Sequence, residues 1–123
     1  MIQATITRLQ AIARDIVLIE LQATDKRALP GASPGAHIDL HLPNGLVRSY
    51  SLLNAPCETH RYCIGVNLDA HSRGGSRYLH EQLRTGAVLT ISRPRNLFEM
   101  DESSPFNVFI AGGIGITPIL SMI

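Results

Sequence analysis

Cysteine is scarce in this chain of 123 residues, which carries only Cys57 and Cys63. Two thiols cannot supply the four thiolates of an iron–sulfur cluster, and their spacing matches no paired zinc-ligand motif. They are expected to be reduced and to sit in or near the core. Long apolar runs are missing as well. None reaches the ~18 residues that a membrane-spanning helix takes, and Thr5, Thr7, Arg8 and Gln10 interrupt any signal-peptide core at the N-terminus. The expectation is a cytoplasmic protein with no membrane partner. Charge of one sign is also lacking. A net charge of +1 creates no global field that would draw the chain to nucleic acid. His37, His41, His60, His71 and His80 are scattered, without the Cys, Asp or Glu spacing that would complete a metal site. No Ser-His-Asp order, internal repeat or low-complexity tract is present. What is there, 45% hydrophobic and 17% charged residues, suits one ordered domain with a core of its own.

Alternating patterns predict strands over residues 2–13 and 15–22, with Arg14-Asp15 as the turn. In the second of these, Ile16, Leu18 and Glu20 form one alternating set. Residues 24–35 read as a loop punctuated by Pro30-Gly31 and Pro34-Gly35. From 36 to 42 the alternation returns, with Ala36, Ile38, Leu40 and Leu42 on one side and His37, Asp39 and His41 on the other. Pro43-Asn44-Gly45 makes a hairpin turn, because Asn-Gly tolerates positive φ, and residues 46–53 return as its partner strand. Asn54-Ala55-Pro56 ends that strand, since proline offers no N–H to a ladder. A fifth strand is expected over 61–68, a loop over 69–75 and a short helix over 76–83, with Leu79 and Leu83 on one face and Gly86 as a left-handed cap. Residues 87–92 complete six strands. Six short strands and one helix point to a closed antiparallel barrel.

The pattern changes after Arg93. Residues 94–105 read as a polar loop, and Asn107-Val108-Phe109-Ile110-Ala111 as a continuous apolar strand of the parallel-sheet type. Gly112 to Pro118 then gives a glycine turn and a helix start, with Thr117 as N-cap and Pro118 at the first helical position. Leu120, Met122 and Ile123 look shaped to pack on further structure. The organisation expected is therefore a barrel domain over 1–100 and, over 107–123, the start of a truncated nucleotide-binding domain.

Three constellations carry chemistry. In Arg48-Ser49-Tyr50-Ser51-Leu52, strand alternation puts Arg48 and Tyr50 on one face and Ser49 and Ser51 on the other. Arginine clamps phosphate in fork geometry, a tyrosine ring stacks on a flat heterocycle, and serine hydroxyls bond its polar edge. The same residues would also suit an ordinary strand with a surface arginine. Ser72-Arg73-Gly74-Gly75-Ser76 precedes the helix, where backbone N–H groups and the helix dipole attract a phosphate; a plain loop and N-cap is the alternative. Together the two suggest a phosphate carrying an aromatic head, as in flavin mononucleotide. Gly112-Gly113-Ile114-Gly115-Ile116-Thr117-Pro118 is a weak dinucleotide fingerprint, since Pro118 stands where the third glycine belongs.

In their order along the chain these segments resemble the reductases of the phthalate dioxygenase reductase and vanillate O-demethylase oxidoreductase family, within the ferredoxin–NADP reductase superfamily. Arg48 to Leu52 is similar to the family's R-x-Y-S flavin motif, and Ser72 to Ser76 to its phosphate loop. Pro94-Arg95-Asn96-Leu97-Phe98 is similar to the segment leaving its barrel, and Gly112 to Pro118 to the opening of its pyridine-nucleotide domain. The resemblance implies a six-stranded Greek-key barrel with one short helix that binds FMN. It implies that Arg48, Ser49, Tyr50 and Ser51 contact the flavin, and that Val66 and Asn67 line the isoalloxazine through backbone groups. Gly74, Gly75 and Ser76 would hold the phosphate, and Thr117 would hydrogen-bond near the ring. No acid–base side chain is implied, because the flavin carries the chemistry. NAD(P)H and [2Fe–2S] would belong to domains absent from this chain, and the partner would be the terminal oxygenase of a multicomponent system. An FAD-binding relative is the nearer alternative, disfavoured because residues 69–75 hold no aromatic residue. A flavin-free barrel acting as a non-catalytic module, self-associating through 107–123, is the further one. On this reading the 123-residue chain mixed with FMN oxidises NADH far more slowly than a normal reductase; stopped-flow NADH turnover at the normal rate would refute it.

Overall fold

The computed structural model describes residues 1–67 and 74–123, with only the backbone described for Gly75 and Ser76. Its six strands are β1 (Ile2–Ala13), β2 (Ile16–Ala23), β3 (His37–His41), β4 (Val47–Ser51), β5 (Tyr62–Asn67) and β6 (Val88–Ile91). They form one sheet in the order β4-β3-β6-β1-β2-β5, and every paired neighbour is antiparallel. The sheet curls so that its two ends meet. Leu53 donates its N–H to the Cys63 carbonyl at 2.8 Å, and Cys63 returns its own N–H to Asn54 Oδ1 at 2.9 Å. The fold is thus the expected six-stranded antiparallel barrel, with the helix α1 (Gly75–Glu81) between β5 and β6.

Local chemistry accounts for the turns. Arg14-Asp15 links β1 to β2 with Asp15 at φ 62°, a left-handed conformation that aspartate tolerates better than most residues. In the β3–β4 turn Gly45 sits at φ 87° and donates to Leu42 at 2.9 Å, while Asn44 Oδ1 accepts from Leu46 N–H at 3.1 Å. The turn fixes the register that sets Ile38 opposite Tyr50 and Asp39 opposite Ser49. Ala36, Ile38, Leu40 and Leu42 are buried as their alternation predicts. Leu79 anchors α1 on the core, and His80 adds a 3.0 Å hydrogen bond between its Nε2 and the Val66 carbonyl.

Five expectations need correction. In β2 it is Ile19, Leu21 and Ala23 that point inward, and Glu20 lies outside. An almost wholly apolar strand leaves its parity open, and the one carboxylate decides it, because an unpaired charge cannot be buried cheaply. Outside, Glu20 meets Arg61 at 2.9 Å, and Arg61 also binds Glu58 at 2.8 Å. Burial opposes ionisation of Glu20, yet the hydrogen bonds from Arg61, Thr7 and Gln22 outweigh it and hold its pKa below the ordinary value. Cys63 is buried, but Cys57 is exposed, in the turn that Glu58 closes on Ala55 at 3.0 Å. Helix α1 ends at Glu81 with Gln82 as its cap. Gly86, at φ 93°, therefore shapes the entry to β6, where it donates to Ile6 at 2.7 Å. Residues 107–111 form no strand: none of the described residues pairs with them in a ladder, and Val108 and Ile110 are exposed. Finally, Thr117 is not an N-cap. A 3-10 turn, Gly113–Gly115, leads directly into α2 (Ile116–Leu120), so Thr117 lies inside the helix and Gly115 caps it.

The C-terminal segment is nonetheless docked on the barrel. Gly35, at φ 92°, approaches it so closely that a Cβ there would stand 2.2 Å from the Phe98 carbonyl oxygen and 2.7 Å from Met122 Cε. Gly45 has similar dihedral strain in waiting, at φ 87°, with nothing within 4 Å. Gly35→Ala is expected to cost roughly 3 kcal/mol or more, and Gly45→Ala only about 1–2 kcal/mol. Urea unfolding of the two variants, compared with the parent, checks the difference, which isolates the collision from the backbone conformation.

Candidate functional site

Three of the segments singled out by the sequence border one cleft of the barrel. Antiparallel pairing sets Arg48 and Tyr50 on the side of Leu40 and Ile38, and Ser49 and Ser51 on the side of Asp39 and His37. A cleft of about 510 Å³ opens here, lined by Gly35, His37, Ser49, Tyr50, Ser51, Leu97, Phe98, Gly115 and Pro118. β4 forms one wall, the segment leaving the barrel a second, and the start of α2 a third. A slightly larger hollow of about 540 Å³ lies elsewhere, lined by Met1–Gln3 and residues of the 23–30 loop. It contains none of the candidate site residues.

The predicted residues are distributed unevenly around the cleft. Ser49, Tyr50 and Ser51 line it. Tyr50 is half-buried, and that burial pushes its phenol pKa up against the opposing pull of Arg48. Arg48 does not line the cleft; its Nη1 donates to the Val47 carbonyl at 2.8 Å. Thr117 lies over β5, its Cγ2 3.6 Å from where a Cβ on Gly65 would stand, beside Leu53 and Ile114. Gly65 neighbours Val66 and Asn67. The Val66 side chain is in the core and its carbonyl meets His80, whereas Asn67 is exposed at the strand end. Cys63 turns both its backbone groups toward the β4 side. Strand alternation gives Gly65 and Asn67 that same direction.

Gly74, at φ 106°, precedes α1 and packs near Leu46, whose Cδ1 would be 3.3 Å from a Cβ on that glycine. This contact brings the α1 start against the beginning of β4. Arg48 is then midway between Leu46, beside the Gly74 turn, and Tyr50, a stretch of four residue steps in extended chain that spans about 13 Å. Ser72 and Arg73, like the rest of 68–73, lie outside the described residues, and so does the side chain of Ser76.

Sequence reasoning missed Gly35, His37, Asp39 and Arg95. Asp39 accepts hydrogen bonds from Ser49 Oγ on one oxygen and from Arg95 Nη2 on the other. Ser49's hydrogen bond first, then the Arg95 charge, holds the Asp39 carboxyl below its ordinary pKa against a partial desolvation. Arg95 is placed by reciprocal backbone bonds with His37, at 2.8 and 3.0 Å. The hairpin register implied by the Asn44-Gly45 turn already sets Asp39 opposite Ser49, and that was the available signal.

The barrel is that of the ferredoxin reductase-like proteins. No protein-family model matches the chain, but individual proteins do. It is 55% identical over 122 residues to a vanillate O-demethylase oxidoreductase of Pseudomonas putida, covering 99% of this chain and 38% of that one. It is 54% identical over 122 residues to tetrachlorobenzoquinone reductase of Sphingobium chlorophenolicum, covering 99% and 38%. Among solved structures, phthalate dioxygenase reductase superposes with a TM-score of 0.95 at 40% identity, over 98% of this chain and 37% of that one. The chain therefore belongs to the phthalate dioxygenase reductase and vanillate O-demethylase oxidoreductase family. It spans between a third and two fifths of the length of the curated relatives it matches.

The third wall of the cleft depends on Ser121, which is buried, accepts from Gly35 N–H at 2.9 Å and donates to Pro118 O at 2.7 Å. Ser121→Ala would leave the Gly35 N–H without its partner, at a cost of about 1–3 kcal/mol. Amide hydrogen exchange over residues 113–122 is expected to accelerate severalfold or more in that variant, with the barrel strands unchanged.

Proposed function

We propose that this chain is the flavin-binding barrel, residues 1–100, of an NAD(P)H-dependent oxygenase reductase, followed over 107–123 by the start of its nucleotide-binding domain. The parent protein would be cytoplasmic. It would pass electrons from NAD(P)H through FMN to a [2Fe–2S] cluster, and then to the terminal aromatic-ring oxygenase or demethylase of a multicomponent system. The observation that carries this reading is the likeness, over nearly the whole chain, to proteins named as a dioxygenase subunit beta, a monooxygenase system reductase subunit and a demethylase oxidoreductase.

The residues present fit a flavin. The cleft has the size of a cofactor pocket, ~300–1,000 Å³. Its lining combines the Tyr50 ring and the apolar Leu97, Phe98 and Pro118 with the hydroxyls of Ser49 and Ser51, as a flat heterocycle with a polar edge requires. A bound flavin supplies hydride acceptance and single-electron release. Tyr50 offers a ring face, Ser49 and Ser51 orient the polar edge, and the β5 backbone at Val66 and Asn67 borders the ring. Thr117 closes over β5 from the start of α2. Gly74, Gly75 and Ser76 hold the phosphate at the start of α1, and Arg48, standing between, turns its guanidinium from Val47 to neutralise it. FMN suits this site better than FAD, since the sequence over residues 69–75 contains no Phe, Tyr or Trp to stack on an adenine.

A second reading has one observation behind it: Phe106, Val108, Ile110 and Ile123 are strongly exposed. Isolated, the chain would self-associate through this face, and a concentration-independent monomer in sedimentation would exclude that. The first reading predicts that the purified chain, mixed with FMN and desalted, keeps the yellow absorption bands. Mass analysis of the extracted cofactor is expected to give FMN, and Arg48→Ala to weaken retention about tenfold or more, the worth of a charge-assisted bond. A colourless chain that rejects FMN would overturn it.

A further inference from the structure

Ser49 reaches the cleft with its proton already committed. An ionised carboxylate accepts hydrogen bonds and donates none, and Asp39 Oδ1 accepts the hydrogen bond that the Ser49 hydroxyl donates. Asp39 cannot readily exchange that role for another. Its Oδ2 is held by Arg95, the Arg95 charge balances its own, and its side chain is only 15% exposed. Its backbone is fixed as well, with its N–H donating to Ser92 Oγ at 2.9 Å and its carbonyl accepting from Ser92 N–H at 3.0 Å. His37, the next residue on this face, also lines the cleft and adds positive charge beside Asp39 when protonated. Ser49 therefore presents lone pairs alone to whatever fills the cleft.

We propose that Asp39, held by Arg95, is a positioning residue that makes Ser49 an obligate hydrogen-bond acceptor, so that the site recognises a donor N–H or O–H on its ligand. The inference rests on the flavin reading of the cleft. In FMN the matching groups are the ring imide N–H and the ribityl hydroxyls. The ring carbonyls and unprotonated ring nitrogens cannot pair with Ser49 in this state.

Asp39→Asn keeps the shape and replaces one acceptor oxygen by an NH₂ donor, which frees the Ser49 proton and reverses the polarity. The test is a double-mutant cycle on the whole chain with FMN as the probe, using Asp39→Asn, Ser49→Ala and the pair together. Dissociation constants are read from flavin fluorescence and the visible bands of bound flavin from absorbance. Each single variant is expected to weaken FMN by up to about tenfold, the range of one hydrogen bond. The double variant should bind no worse than Ser49→Ala alone, and Asp39→Asn should displace the bound flavin's absorption maxima, which a purely structural role would not do. Asp39→Ala, which leaves Ser49 free to rotate, provides the same comparison if the asparagine variant unfolds. A parent chain that does not bind FMN sinks the flavin reading itself. A parent that binds, with Asp39→Asn matching its affinity and spectrum, overturns this inference alone. So does strict additivity, or an inert Ser49→Ala. Replacing FMN by its imide N-methylated analogue then assigns the donor: loss of the preference in Asp39→Asn points to the ring, and an unchanged preference to the ribityl chain.

Discussion

The seam between β4 and β5 is the constraint on which the rest of the molecule depends. A six-stranded antiparallel sheet has two edges, and an exposed edge invites pairing with other chains. Here the edges meet at one end only, through the Leu53–Cys63 backbone bond and the side chain of Asn54. Asn54 also donates to the Arg61 carbonyl at 3.0 Å and the Glu58 carbonyl at 3.3 Å, so one amide organises the whole approach to β5. Beyond this clasp, no ladder joins β4 and β5. The barrel is closed enough to have a core, and open enough that β4 borders the cleft.

The second organising contact is the return of the chain to the barrel after β6. Arg95 pairs with His37, and Asn96 donates to Ser33 Oγ at 2.7 Å and to the Pro34 carbonyl at 2.8 Å. Ser121 and Met122 close on Gly35. These bonds carry Leu97, Phe98, Gly115 and Pro118 to the rim of the cleft, opposite the hydroxyls of β4. Polar groups thus stand on one wall and apolar groups on the others. Only glycine at position 35 allows the backbone carbonyl of Phe98 to come so near. The same docking leaves Phe106, Val108 and Ile110 exposed, uncovered by the described residues of the barrel.

Much of this was legible beforehand because the signals are local. The period of two in 36–42, the Asn44-Gly45 turn and the Pro56 stop each follow from one residue's geometry, and the barrel strands fell within a residue or two of their expected bounds. The Arg48–Ser51 segment was recognisable by chemical type, and three of its four residues do meet at the cleft. Other features escaped for definite reasons. The parity of β2 hung on Glu20 alone. The apolar run 107–111 had the composition of a strand without a partner to pair with. Thr117 looked like a cap because threonine before proline commonly is one, whereas a preceding 3-10 turn absorbs the helix start.

The sequence by itself determined the strands, the turn between β3 and β4 and the chemical types available, since these depend on side-chain alternation and on which residues tolerate positive φ. It also determined the family, through four short segments in a fixed order. Only the tertiary structure decided which of those side chains share a cleft, and in what state they face it. Arg95 lies 56 residues from Asp39 and Ser121 lies 86 from Gly35. Contacts at such separations are set by how the sheet curls and how the tail packs back upon it, and no local preference encodes them.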